Sequence, residues 1–327
     1  MQIFNLQLLR AFAALNVVFF HVIGTSVAYG FSVDRFEFLT GWGQNGVDIF
    51  FVISGFIMVY VQNIKNRTPR AFIIDRVVRL VPVYWLFTSL LVVSFIVMPS
   101  AAFNSSSPGI SELVASLLFV HQPLYGSFPL LYVGWSLEYE MLFYLIFAIC
   151  IIFGRGIHRC LLIFALLFIA QFVFGVGSII YEFFMGVLIG YFHQHFSVSK
   201  TLGALVLIVG AIGLAVPLFS SPSEAIENRF ILYGLPSSLI VFGAIYTKQL
   251  GNSLLILLGD SSYSIYLAQV FTVPLFYKAL SFASISGINT DLLALLCVVS
   301  TGLVGVVSYL LFEKPVSVYF RKNTTIL

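Results

Sequence analysis

Charge is what this chain has least of. Only 9% of its 327 residues are Asp, Glu, Lys or Arg, against about 25% in a soluble domain. That scarcity excludes an ordinary water-facing surface, and a formal net charge of +3 excludes the basic footprint of a nucleic-acid binder. Cysteine is scarce as well. Cys150, Cys160 and Cys297 lie in or beside apolar runs without metal-ligand spacing, so neither a disulfide framework nor a metal is expected. Long linkers and low-complexity tracts are also missing, which leaves a single domain over 1–327 as the expectation.

What is present is apolar: 60% of residues are hydrophobic and the mean hydropathy is +1.04. Runs bounded by Pro, Gly and charge predict ten spans, at 6–28, 45–63, 82–99, 134–153, 160–175, 177–193, 201–219, 230–247, 255–277 and 291–312. The expected fold is therefore an all-α polytopic membrane protein with about ten transmembrane helices, its partner the lipid bilayer. Ser26-Val27-Ala28 looks like a signal-peptidase site, but one basic residue precedes it and His21 interrupts the apolar run, so the first segment reads as a retained helix. The stretch 112–120 is too short to span, and His121, Pro123, Gly126 and Pro129 follow it, so it reads as an interfacial or re-entrant piece. Gly175 and Gly177 predict a tight turn between the fifth and sixth spans.

Positive charge sets the expected orientation. With a cytoplasmic N-terminus, Lys65, Arg67, Arg70, Arg76, Arg79, Arg155, Arg159, Lys200, Lys248, Lys314, Arg321 and Lys322 fall inside, and only Arg35, Arg229 and Lys278 outside. Both termini are then cytoplasmic. Trp42, Trp85 and Trp135 fall near expected helix ends, as an interfacial belt requires.

Against that background a few polar residues stand out. Arg10 and His21 are eleven residues apart in "LLRAFAALNVVFFHV", which puts them on one helix face about 16 Å apart. Taken singly, Arg10 reads equally as a snorkelling residue and His21 as a hydrogen-bonded packing residue; an ionisable group within a span is otherwise a functional-site hypothesis. Asp48 opens the second span at a depth His21 can reach, where it would orient the imidazole, or it merely complements a helix N-terminus. Arg76 and Arg79, three apart at the expected start of the third span, aim two guanidiniums at one place. In "WSLEYEMLFY", Glu138 and Glu140 point to different faces, so one is expected in a buried site and the other towards water, with a salt bridge as the plain alternative. Gly46 and Gly55 allow close helix packing, and Glu182 and Asp260 are further candidates, Asp260 fitting a helix N-cap better than a catalytic role. His121 is a candidate site residue; His158, His193 and His195 read as solvated.

Together these groups form an inner arginine cluster, suited to phosphate, and an outer His21–Asp48–glutamate cluster, suited to general-base chemistry. A donor with a phosphate-rich head and a long thin arm, such as acetyl-CoA, would bridge them. The sequence resembles the acyltransferase-3 family of integral membrane O-acyltransferases, which modify bacterial polysaccharides, lipopolysaccharide and Nod factors. The resemblance rests on "LQLLRAFAALNVVFFHV", "GVDIFFVISGFIM", "FIIDRVVRLVPVYW", "WSLEYEMLFY", "GDSSYSIYLAQ" and "FEKP", which run from residue 6 to 315.

That resemblance implies catalytic roles for His21, Asp48 and Glu140, donor binding by Arg10, Arg76 and Arg79, and support from Trp135, Ser136 and Glu138. It also implies a cytoplasmic acyl-CoA donor, a polysaccharide or lipid-linked oligosaccharide acceptor, and a place in the bacterial cytoplasmic (inner) membrane. Gln269 departs from the pattern, because many relatives carry histidine there. No extracytoplasmic hydrolase-like domain is in the sequence, so the stand-alone form, like that of exopolysaccharide acetyltransferases, is expected. The expected activity is O-acetyl transfer to a sugar hydroxyl with His21 as general base. A transporter or flippase of a glycan or small anion is the rival, and it predicts inverted repeats, of which no convincing trace is found.

Overall fold

Each of the ten apolar stretches holds a helix in the computed structural model, which describes residues 3–97, 109–154, 156–219, 224, 227–283 and 288–324. Arg155 and the last two residues of the stretch expected over 82–99 lie outside them. In chain order the helices are α1 (Phe4–Ala28), α2 (Asn45–Lys65), α3 (Pro69–Val97), α4 (Ile110–Leu117), α5 (His121–Tyr125), α6 (Trp135–Phe153) and α7 (Gly156–Phe174). They continue with α8 (Tyr181–His195), α9 (Lys200–Ala215), α10 (Leu235–Tyr246), α11 (Ser253–Asp260), α12 (Ser262–Phe282), α13 (Thr290–Ser308) and α14 (Lys314–Thr324). Among the described residues there is no strand, and eight helices are long and apolar enough to cross a membrane. The chain is an all-α polytopic protein. Two of the expected spans are shorter: α8 has 15 residues, and Phe230–Tyr246, which starts with a π-helical turn, falls below the same length.

Local signals account for many of the ends. Ser199, Asn252 and Asn289 accept from backbone N–H groups at the starts of α9, α11 and α13, at 3.2, 3.1 and 3.1 Å. The third helix corrects the expectation in position. It begins at Pro69, not at 82, and runs through Pro82 as 29 residues. Proline suits the first turn of a helix, and a packed membrane bundle tolerates a second one inside, where neighbouring groups satisfy the freed carbonyl. Arg76 and Arg79 are thus seven and ten residues into α3, so Arg79 lies roughly 15 Å from its start. Trp85 accordingly falls within α3, with its indole donating to the carbonyl of Leu117 at 3.0 Å. The expected ninth span is two helices, and Asp260 ends the first of them, so it is no N-cap of α12.

The α2 helix is the hub, packed between α1, α8 and α10. Glycine makes this possible. A Cβ on Gly46 would sit 2.3 Å from the carbonyl oxygen of Ala13 in α1, and one on Gly55 would sit 2.0 Å from that of Phe183 in α8. Gly186 faces Val52 with the same closeness, at 2.1 Å. Beside this seam Phe51, Phe183 and Phe143 stack, with ring centroids 4.2 and 4.5 Å apart, which joins α2, α8 and α6.

Candidate active site

A narrow crevice with a cavity volume of about 70 Å³ opens between α1, α2, α3, α6 and α12, inside the bundle. Each helix delivers its polar residue by plain periodicity. On α6, Ser136, Glu140 and Tyr144 recur every four residues and share one face. Phe50, Ser54 and Ile57, four and three residues apart, share a face of α2, and Arg10 and Arg79 enter from α1 and α3. Ser54 donates to Glu140 at 2.9 Å, and the Tyr144 hydroxyl donates to the same carboxylate oxygen. Ser136 and Tyr266 share a hydrogen bond of 2.8 Å, and Tyr266 also donates to the carbonyl of Val133 at 2.8 Å.

The two arginines are like charges within electrostatic reach of each other, and Glu140, Glu313 and Asp260 balance them. Sequence reasoning favours a cap over a catalytic role for Asp260 and leaves Glu313 within "FEKP". Glu313 closes a π-helical turn, Tyr309–Glu313, and accepts from Ser264 at 2.6 Å. Arg76 is 5% exposed and pairs with Asp75, which Arg67 also engages. Its Nε and Nη1 are buried with no hydrogen-bond partner. Donors left unspent in a buried site call for an explanation, and a ligand is one.

His21 lies outside the lining of this crevice. Its ring meets Phe20 and Tyr132 edge-on, with centroids 4.9 and 5.2 Å away. Arg10 and His21 nevertheless share the uninterrupted helix α1, as the spacing predicts.

The grouping of the carboxylates differs from the expected one. Asp48 does not meet His21; it is fully buried and takes two hydrogen bonds from Arg229, at 3.1 and 2.7 Å. The same guanidinium donates to the side chain of Gln44 at 3.0 Å. Glu182, also fully buried, lies beside this pair and against Gly234. The physical reason is charge: a carboxylate removed from water needs a cation, and imidazole is a poorer one than guanidinium. Glu138 departs from expectation too. It is 5% exposed and accepts the backbone N–H groups of His121 and Gln122 at 3.0 and 2.9 Å, which anchors α5. His121 is itself buried, with Nδ1 3.2 Å from the carbonyl of Ser127, and Trp135 packs on Phe51 and Tyr139. His193, expected in water, is half-buried and lies 3.1 Å from the Tyr246 hydroxyl.

Comparison with known proteins agrees with the architecture. A family model described as an acyltransferase domain matches residues 3–311. The exopolysaccharide production protein ExoZ of Rhizobium meliloti (strain 1021) is 32% identical over 295 residues, covering 84% of this chain and 89% of that protein. The O-acetyltransferase OatA of Staphylococcus aureus (strain NCTC 8325 / PS 47) is 26% identical over 306 residues. That match takes in 79% of this chain but 48% of OatA, so the chain spans about half the length of that relative. No solved structure matches. The chain belongs to the acyltransferase-3 family.

Proposed function

We propose that this member of the acyltransferase-3 family moves an acetyl group from cytoplasmic acetyl-CoA to a hydroxyl of a bacterial cell-surface polysaccharide or its lipid-linked precursor. The observation that carries the reading is the convergence of Arg10, Arg79 and Glu140, from three helices, on one crevice inside the bundle. The acceptor class follows the printed names of the relatives, one for exopolysaccharide production and one for O-acetyl transfer.

In this reading Arg10 and Arg79, with the unspent donors of Arg76, bind the donor. Glu140, held by Ser54 and Tyr144, keeps the guanidiniums aligned and opposes their repulsion. His21 lies about 16 Å along α1 from Arg10, a distance for the extended arm of the donor to cross. There the imidazole takes the proton of the acceptor hydroxyl, the oxygen attacks the thioester carbon, and the C–S bond breaks. The departing thiolate takes up a proton, and His21 releases the one it accepted. Asp48 is assigned to the outer ion pair with Arg229, not to His21. Glu138 supports the α5 segment, and Trp135 and Ser136 pack and hydrogen-bond the wall between.

The test is the O-acetyl content of surface glycans, read by mass spectrometry, in cells carrying His21→Ala at normal protein level. Loss of acetylation is expected. Wild-type acetylation would remove His21 from the mechanism. Purified protein given labelled acetyl-CoA and a glycan acceptor checks the donor: label on the glycan is expected, and its absence with an active acceptor would overturn the donor assignment.

A further inference from the structure

A second polar crevice lies at the end of the bundle where α2 stops and α7 starts, and it shares no lining residue with the central one. Its cavity volume is about 380 Å³. The chain holds nineteen Asn and Gln residues, and four of them, Gln62, Asn63, Asn66 and Gln194, line this one place together with Tyr191 and Arg159. The crevice is on the α7–α8 side of α2, whereas the central crevice is on the α1–α3–α6 side, so the helix itself stands between them. Towards the middle of the bundle it is closed by the glycine seam of α2 and α8, where a Cβ on Gly190 would sit 2.8 Å from Val59.

The side chains are built for recognition. Gln62 is 4% exposed; its Nε2 donates to the carbonyl of Arg67 at 2.8 Å, while its Oε1 is buried with no partner. Arg159 donates its Nε to the carbonyl of Gly154 at 2.9 Å, which sets the plane of the guanidinium at the end of α6. Asn63, Asn66 and Gln194 are exposed and reachable. Among the described residues that line the crevice there is no carboxylate, so nothing there repels an anion.

A carboxamide offers donor and acceptor side by side, which matches a sugar hydroxyl or the edge of a purine. A guanidinium matches a phosphate. We infer that this crevice is a second ligand site, for a phosphorylated, hydroxyl-rich small molecule. Two sources share that chemistry: the nucleotide end of the acyl donor and the glycosyl phosphate of an acceptor precursor. Naming these sources rests on the transfer reading above; the site itself does not.

The test is titration of the full chain in lipid nanodiscs with ADP, glucose 1-phosphate and inorganic phosphate, followed by calorimetry. Saturable binding of ADP or of glucose 1-phosphate is expected, and the one that binds names the source. In the doubly substituted Asn63→Ala, Gln194→Ala protein, both positions being exposed, affinity should fall at least about tenfold. In Arg79→Gln protein the binding that is sensitive to Asn63→Ala, Gln194→Ala should persist, and only ADP held at the central crevice should be lost. No saturable binding would overturn the inference, as would inorganic phosphate binding as well as the others. Binding lost in Arg79→Gln but kept in the double variant would place the ligand in the central crevice and would also overturn it. Because the readout is binding, its failure leaves the His21→Ala acetylation test standing, and the reverse holds.

Discussion

Two buried clusters of charge lie in this bundle, and they are built differently. At one end Asp48 and Arg229 meet through two hydrogen bonds, Gln44 takes a third donor of the guanidinium, and the carboxylate has no exposure at all. In the middle, Arg10 and Arg79 face an open crevice, share Glu140, Glu313 and Asp260 as counter-charges, and have beside them in Arg76 two donors that bond nothing. The first cluster is closed on itself. The second is open, with donors to spare. Buried charge alone marks neither as a site; access to a crevice tells them apart.

The largest effect should come from breaking the closed cluster. Arg229→Gln leaves Asp48 buried without its cation, and removing one partner of a buried pair costs about 3–5 kcal/mol. The expected outcome is a sharp fall in membrane protein level and in the midpoint of thermal unfolding in detergent. Adding Asp48→Asn and Glu182→Gln together should recover most of that loss, because no carboxylate is then left there without a cation. If Arg229→Gln alone keeps wild-type stability but loses acetylation, the pair belongs to the chemistry and the distinction between the clusters fails.

Next in size is the open cluster, where the effect should fall on rate. Arg79→Gln removes a guanidinium that holds the donor, and loss of one charged contact of about 1.5–3 kcal/mol should lower kcat/KM by about 10–10². Stability should change by less than about 1 kcal/mol, since the crevice gives water access to the groups left behind. Acetyl transfer by purified protein, set beside its unfolding midpoint, separates the two. A variant that is destabilised as strongly as Arg229→Gln while its surviving fraction turns over normally would make Arg79 structural.

These differences also show which features were legible in the sequence. The apolar runs announced the helices because hydrophobicity must persist over a full crossing. Gly46 and Gly55 pointed to seams that exist, at α1 and at α8. The shared α1 helix of Arg10 and His21 and the common face of Ser136 and Glu140 follow from helical period alone. Partners across helices were harder. Arg229 was counted as an outer loop charge, although Asp48, Glu182 and Arg229 all begin their spans on the same side. Two carboxylates at that depth require a cation nearby, and that requirement was the available signal. Pro82 hid the start of α3, since proline reads as a boundary in a soluble chain and is tolerated within a bundle. Glu313 lay in a motif whose role depends on a π-helical turn, which no periodicity reveals.

The smallest expected effect sharpens the comparison most, because it sets two carboxylates of one helix against each other. Glu138 and Glu140 are two residues apart on α6 and therefore face opposite ways. Glu138 spends its oxygens on two backbone N–H groups of α5; Glu140 spends one of its oxygens on Ser54 and Tyr144 at the crevice wall. Replacing Glu138 by Gln keeps one acceptor, sets an amide NH₂ against the other N–H, and should cost about 1–2 kcal/mol with turnover per folded molecule unchanged. Replacing Glu140 by Gln keeps the shape and an acceptor for Ser54 or Tyr144, but removes the charge that opposes the Arg10–Arg79 repulsion. Its expected signature is the reverse: near-normal unfolding and slower acetyl transfer. Should both variants lose turnover alike, the α5 segment reaches the chemistry and Glu138 shares in it. Should both lose only stability, the crevice carboxylate is a brace for its arginines and nothing more.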